Sequence, residues 1–488
     1  MFGTRSTRRQ VLRGAAVATT AAAAAGVLSA CGGTVAGGAP AAASSVAPGP
    51  TAGEVVINFA PNWQGAAWNK TAAQLNQQFI DANYNAKNRG VYVRVNAPVQ
   101  GGAQGQIAAA IAGAGYMDVF QDCCSDIAVL EASGYLTPLN SYLKQDNINT
   151  SIWNQRHLQV LTYGGELKAL PAYDGPVTVF YRQDLLDQMG LSYPQPDWTY
   201  QEAQAIWQSS TRTVTQGGKP AHQYGVQLFN TSYDSQLDWW LQGWGTTKMN
   251  AAGTAVTADN SKGWACLTFL QDLAKAGVAQ QRSTVTPMAN GQCVFKQAGG
   301  WELLPAAQQL GNKVKWNILP TPVWPAGRST FNNIDYYVMN HATKHPEHAW
   351  NLLKWVCAEP AYQTFQMQAT LVQPCLNSLW SKWQTIVLQA APPLHGKDIQ
   401  WIADAATGGY AWPNRYFTYA PTQAAAVVNT WGGQIWAGTV SPELGLKQMA
   451  AQVDSLEASS RQVSNAAATV QKAFPTKGAA IASVQPGL

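Results

Sequence analysis

From Glu54 onward, short apolar runs alternate with helical patterns, and that alternation restricts the chain to a few folds. Val55-Val56-Ile57-Asn58-Phe59 is an apolar run ending in the turn-like Pro61-Asn62-Trp63. A helical pattern follows over residues 69–86. Val91-Tyr92-Val93-Arg94-Val95 then alternates with period two, as a half-buried strand does. Residues 104–112 read as a helix, Asp118-Val119-Phe120 as a strand and residues 127–132 as another helix. Strands alternating with helices predict an α/β lobe with a mostly parallel sheet. In such sheets a ligand crevice lies beyond the carboxyl ends of the strands. Trp63 and Asp122 both follow strand ends, so they are expected at such a crevice.

A second series starts near Pro171. Val177-Thr178-Val179-Phe180-Tyr181 is a strand, with helices expected at 200–210, 235–242 and 261–276. The apolar run Tyr336-Tyr337-Val338-Met339 precedes a helix at 346–357. That helix opens on Pro346 and gathers Ala349, Trp350, Leu353 and Val356 on one face. Residues 422–436 and 442–459 are also helical in pattern. Roughly 430 structured residues imply at least two lobes, because single cores stop growing near ~250–300 residues.

The chain opens with an export pattern. Arg8-Arg9 precedes an alanine-rich apolar run, which ends at Leu28-Ser29-Ala30-Cys31. A charged pair before a short apolar segment is the order of an export signal, and the twin arginine resembles the bacterial twin-arginine route. Leu-Ser-Ala-Cys looks like a lipobox with Cys31 as lipid acceptor. The apolar segment is too short and alanine-rich for a comfortable span. Residues 32–53 hold Gly, Ala, Pro, Ser, Thr and Val without charge until the ordered part begins, and read as a flexible tether. The expected location is therefore extracytoplasmic, at the outer face of a bacterial cell membrane.

The chain carries 31 Lys and Arg against 26 Asp and Glu. Arg5, Arg8, Arg9 and Arg13 sit in the export segment, which has no acid. Removing these four leaves 27 basic groups against 26 acidic ones. Nothing in this near-neutral charge suggests a nucleic-acid partner, and none is expected. Cys123, Cys124, Cys266, Cys293, Cys357 and Cys375 remain after Cys31, an even number that an exported protein can pair. Six cysteines allow fifteen connectivities; Cys357–Cys375 is the favoured bridge, with free thiols as the alternative. The chain has 20 Trp. Each is a core residue by default, yet Trp beside Asn, Gln and Asp is also what a sugar site needs. Pyranose C–H faces pack on aromatic rings while planar polar groups bind hydroxyls.

Several segments carry a resemblance, in order along the chain. Gly134-Tyr135-Leu136-Thr137-Pro138-Leu139 resembles G-x-L-x-P-L. Tyr163-Gly164-Gly165-Glu166-Leu167-Lys168-Ala169-Leu170-Pro171 resembles Y-x-G-K-x-Y-A-L-P. Phe180-Tyr181-Arg182-Gln183-Asp184-Leu185-Leu186, then Gly190-Leu191 and Pro196-Asp197-Trp198-Thr199, resemble Y-Y-N-K-D-L-F…G-L…P-x-T-W. Lys344-His345-Pro346-Glu347-His348-Ala349-Trp350 resembles S-K-H-P-E-x-A-W. These are motifs of the extracellular solute-binding proteins, family 1, of ABC importers, which include maltose-type and glycerol-phosphate-type binding proteins. Arg182, Glu166 and Lys168 depart from the pattern at positions expected to be scaffold.

The resemblance implies a two-lobed α/β fold of the periplasmic-binding-protein type (type II). Each lobe is then a mixed sheet flanked by helices, with the ligand cleft between lobes. The N-terminal lobe is expected to span 54–172 and 331–365, the C-terminal lobe 173–330 and 366–474, with a tail at 475–488. It implies hinge closure on a solute and docking on a membrane permease, by a monomer. Gly299-Gly300-Trp301-Glu302 resembles the family's G-x-W at the cleft, where glycines admit close backbone approach and the ring offers a stacking plane. Asp122 follows a segment that faces the cleft in the family. Tyr173 and Asp174 lie at one lobe crossover, Asn332 and Asn333 at the other. Trp239 and Trp244 come from the cluster Asp238-Trp239-Trp240-Leu241-Gln242-Gly243-Trp244, and Trp412 from a loop of the kind that closes a cleft. Core packing, capping or turn chemistry is the alternative for each.

No cofactor and no metal is expected. His341, His345 and His348 suggest a metal, but Pro346 opens a helix between them. A Gly-x-Ser-x-Gly elbow, His-Glu-x-x-His and a P-loop are absent from the sequence. The leading expectation is a non-enzymatic, lipid-anchored receptor for a carbohydrate, of oligosaccharide size, serving an ABC importer. The alternatives are the same fold with a glycerol-phosphate ester or other polar solute, a surface-attached polysaccharide-processing enzyme, and a sensor subunit.

Overall fold

The computed structural model describes residues 49–61, 70–97, 102–112, 117–123, 126–229, 234–413 and 415–473. Cys31, Trp63 and Cys124 lie outside the described residues, as do the export segment, most of the tether and the tail.

The first strands are β1 (Val55–Ala60), β2 (Val91–Val95) and β3 (Val119–Cys123), each separated from the next by a helix, Lys70–Asn83 and Gly102–Ile111. All three run parallel, with β1 central. This is the architecture expected from the alternation of period-two and helical segments. A small hairpin, β4 (Thr162–Tyr163) and β5 (Glu166–Leu167), precedes the thirteen-residue β6 (Leu170–Arg182), which is buried throughout. The second lobe adds a hairpin, β7 (Arg212–Gln216) and β8 (Lys219–Leu228), then β9 (Ala279–Gln281), β10 (Cys293–Gly299) and β11 (Trp316–Leu319). After the short hairpin β12 (Val323–Trp324) and β13 (Gly327–Arg328), the fully buried β14 (Thr330–Met339) returns to the first lobe; β15 (Ala411–Pro413) follows much later.

Among the described residues the sheet order is β2-β1-β3-β14-β6-β10-β8-β7, with β11 on β6, β15 on β14 and β9 on β8. Two strands carry the chain between the lobes. The first half of β6 pairs antiparallel with β14, from Leu170↔Tyr337 to Pro176↔Asn332; its second half pairs with β10 and β11. β14 likewise pairs with β3 through Asp335–Met339 and with β15 through Thr330–Asn332. The crossover thus falls at residues 174–177 and 330–334.

Helices complete both lobes. Thr199 caps Tyr200–Ser210 through a reciprocal capping box with Glu202. Pro346–Ala358 buries Ala349, Trp350, Leu353 and Val356, the face read from its pattern. Buried residues form one cluster around β1, β3 and Trp350, which continues through helices 380–390 and 396–407, and another around Trp207, Trp240 and Phe295. Trp153, Trp207, Trp239, Trp240, Trp316, Trp324, Trp350 and Trp383 are fully enclosed, so much of the tryptophan surplus is packing.

The Cys357–Cys375 bridge is not formed. Both are free and buried; the Cys375 thiol lies 3.0 Å from the Pro171 carbonyl, which it takes as acceptor in place of a sulfur partner. Cys266 and Cys293 are free and buried as well. Arg182, out of pattern, is scaffold: it grips Asp184 through both nitrogens at 2.7 Å and donates to the Met288 carbonyl.

Candidate functional site

Where β6 and β14 cross, their side chains build a polar row across the sheet. Asn333 Nδ2 donates to Tyr173 Oη at 2.7 Å and to Asp335 Oδ1 at 3.1 Å. Asp335 Oδ2 accepts from Gln121 Nε2 of β3 at 2.9 Å. Asp122 is the next residue along β3, half-buried, opposite Tyr336, and its Oδ1 accepts from the Cys123 amide at 2.8 Å. The register explains the row, since Tyr173↔Asp335 and Asp335↔Cys123 are neighbouring pairs on adjacent strands.

A second polar group surrounds the same crossover. His157, on the helix Gln155–Val160, has no exposed surface. Its Nε2 is 2.9 Å from Asn332 Nδ2 and 3.4 Å from Asp174 Oδ1. Burial pushes the imidazole's pKa down, opposed by the Asp174 carboxylate. Asn154, the helix N-cap, donates to Asp174 Oδ2 at 3.1 Å. Arg156 reaches the other way: it donates to the Ala411 carbonyl at 3.1 Å, and its guanidinium lies 4.1 Å above the Trp412 ring. Trp412 is paired in register with Phe331 on β14, so the ring sits beside the crossover.

From the second lobe, β10 ends at Gly299 and a turn of 3₁₀ helix carries Gly300, Trp301 and Glu302. The Trp301 ring folds back over Gly299 and reaches the crossover at Gly175, where a Cβ would lie 3.4 Å from ring carbon Cζ3 and 2.5 Å from Tyr173 Cε2. Glycine at 175 therefore makes room for the Tyr173 ring and the Asn333 carbonyl, with the Trp301 indole at ordinary van der Waals distance from the same position. Arg282 lies over Trp301 at 5.5 Å and over Phe229 at 4.5 Å, and is ion-paired with Glu302. Glu302 also faces the fully buried Lys296 at 3.2 Å. Burial lowers the Lys296 pKa to about 8, with Glu302 opposing the drop and Arg282 adding to it.

The structure brings Tyr173, Asp174, Asn332 and Asn333 together at the crossover, with Asp122 on the adjoining strand, Trp412 beside it, and Trp301 against it. Glu302 is spent on two cations. Trp239 is enclosed in the second core, stacked on Trp240 at 4.0 Å. Trp244 is half-buried and packs on Tyr200 and Phe269. Sequence reasoning missed Gln121, Asp335, Asn154, Arg156, His157, Arg282 and Lys296. Arg156 and Ala411 are 255 positions apart, and no local pattern announces such a contact.

A profile of bacterial extracellular solute-binding proteins matches residues 80–380, more than half of the chain. Solved structures share the fold. An ABC substrate-binding protein of Listeria monocytogenes, in complex with cycloalternan, has TM-score 0.68 at 17% identity over 83% of this chain and 99% of that one. The sugar-binding protein MalE of Xanthomonas citri has TM-score 0.68 at 18% identity, covering 84% and 99%. A cyclic alpha-maltosyl-1,6-maltose binding protein of Arthrobacter globiformis has TM-score 0.66 at 19% identity, covering 83% and 99%. Curated binding proteins of Brucella abortus and Brucella suis are 23% identical over 233 residues, 46% of this chain. The match spans about half, 54%, of the length of those relatives. With the family profile running across both lobes and the crossover between them, the chain belongs to the bacterial extracellular solute-binding proteins.

Proposed function

We propose that this protein is a lipid-anchored receptor that captures a carbohydrate of oligosaccharide size between its lobes and hands it to an ABC import permease. It catalyses nothing in this reading. Solute bridging both lobes favours the closed arrangement by its differential affinity, and that closed form is what a permease would recognise. Cys31 supplies the anchor, residues 32–53 the tether and Trp63 a further ligand-binding residue.

The observation that carries the reading is the crossover itself. Trp301 from one lobe rests on Gly175 of the strand that enters the other, beside the hydrogen-bonded row of Tyr173, Asn333, Asp335 and Gln121. An aromatic face next to planar amides and carboxylates suits a polyhydroxylated guest. The similar structures named above include sugar-binding proteins, which supports the same class of solute. Trp301, Trp412, Tyr173, Asp174, Asn332, Asn333 and Asp122 are the proposed contacts, with Glu302 acting through Arg282 and Lys296. Trp239 and Trp244 would serve by shaping the second lobe behind them.

A second reading has one observation in its favour. Arg156 and Arg282 lie on Trp412 and Trp301, and cations beside the cleft would suit a glycerol-phosphate ester or another anion. Calorimetry and thermal-shift measurements on the form beginning at Glu54 separate the two. Saturable binding of a neutral oligosaccharide, with no response to glycerol phosphates, is the expected result. Binding of the esters alone would replace the sugar reading with the anionic one.

A further inference from the structure

Residues 371–376 run past the two-glycine turn at Gly299 and Gly300, where Gln373 meets Gly300. This segment leaves the helix Pro360–Thr370, which follows Pro346–Ala358 against the first lobe, and leads to Trp380–Ala390, which packs on Gly396–Thr407 beside β6 and β11. All six residues are buried. Leu371 ends the first helix in the left-handed region, φ 58° and ψ 13°, a conformation that a bulky side chain resists. Trp383 holds that turn by donating to the Leu371 carbonyl at 2.9 Å. Pro374 confines the residue before it to extended backbone. The segment is therefore a built device.

Two glutamines serve it differently. Gln363 is used in full: Oε1 accepts from the Cys375 and Leu376 amides at 3.2 Å, and Nε2 donates to the Cys357 carbonyl at 2.9 Å. Gln373 is equally enclosed, with no exposed surface, yet neither its Oε1 nor its Nε2 has a hydrogen-bond partner among the described residues. Its carboxamide is pressed against Gly300, where any Cβ would fall inside the amide. Gly300 is the residue before Trp301. The amide and the indole thus flank the same two-glycine turn. Leaving a buried amide unpaired costs about 1–3 kcal/mol, so a protein that builds such a group into its lobe junction has a use for it.

We infer that Gln373 is a solute-binding residue, its carboxamide donating to one hydroxyl of the guest and accepting from another beside the Trp301 ring. This rests on the carbohydrate reading above and adds a residue that the family motifs do not mark. An amide offers a donor and an acceptor side by side, which complements two adjacent hydroxyls. An apolar isostere at 373 removes both functions without leaving a hole.

The test compares the purified full-length protein with its Gln373→Met variant by two measurements. The first is melting without sugar. The second is calorimetry with mannobiose, mannotriose, cycloalternan and tagatose as probes. The inference predicts an unchanged or higher melting temperature, because an unpaired amide is replaced by an apolar chain. It predicts affinity for the tightest-bound probe weakened roughly ten- to a hundredfold. A variant that melts several degrees lower overturns it, by showing that the amide is structural. Unchanged affinity in the variant overturns it while leaving the carbohydrate reading intact. Wild-type protein that binds none of the probes refutes the carbohydrate reading and removes the site to which Gln373 was assigned.

Discussion

Lys296 ties the proposed site to a pH dependence that can be worked out in sign and size. Its ammonium is fully buried among Glu302, Gln227 and the Ser283 carbonyl, with Arg282 close by. Burial lowers its pKa from the ordinary 10.5 to about 8. Below pH 8 the lysine is charged in both folded and unfolded chains, and the folded state bears the full cost of burying it. Between about 8 and 10.5 the unfolded chain still holds a proton that the folded protein has released, so raising the pH favours folding. Above 10.5 both forms are neutral and the gain is complete. A drop of that size corresponds to about 3 kcal/mol. Lys296→Met removes the group, leaving Arg282 and Glu302 as a neutral pair. The assay is urea unfolding of wild type and variant at pH 7, 8, 9 and 10.5. Whatever the difference between the two proteins at pH 7, it should move by about 3 kcal/mol in favour of wild type by the highest pH. Background titration of other groups cancels in the comparison. Parallel curves for the two proteins would refute the reasoning.

Other perturbations give separable outcomes. Trp301→Ala should weaken sugar affinity at least tenfold in calorimetry while the half-buried position keeps the protein folded; equal binding would remove Trp301 from the site. Gly300→Ala forces a methyl into the space of the Gln373 amide and should cost about 1–3 kcal/mol of stability by denaturant unfolding, against no change if the two do not touch. Thiol titration should find Cys357 and Cys375 unreactive in native protein and reactive without reductant once unfolded; a pair that needs reductant would restore the disulfide.

The legible part of this fold was its rhythm. β2 and the helix Tyr200–Ser210 begin and end where their patterns do; the helix is closed by the Thr199–Glu202 capping box, while β2 buries Val91, Tyr92 and Val93 in succession rather than one face alone. Pro346 announced its helix for a similar local reason. The hairpin of β7 and β8 carried no comparable signal. At the site, Tyr173 and Asn333 could be named because they flank the crossovers. Their partners Asp335 and Gln121 could not, because pairing across three strands depends on a register set by packing, with a shift between Asp335 and Tyr336. Glu302 illustrates the same limit. Its charge is visible in the sequence, but its engagement with Arg282, twenty residues away, belongs to the folded chain. Trp239 and Trp301 look alike as letters. One is enclosed beside Trp240 and the other lies on a glycine at the lobe junction, and only tertiary packing separates them.

Small-angle X-ray scattering on the protein from Glu54, with and without the sugar that calorimetry finds tightest, tests lobe closure most directly. A solute held between two hinged lobes predicts a smaller radius of gyration at saturation, in proportion to the bound fraction. A saturated sample whose scattering curve superimposes on that of the free protein would contradict it.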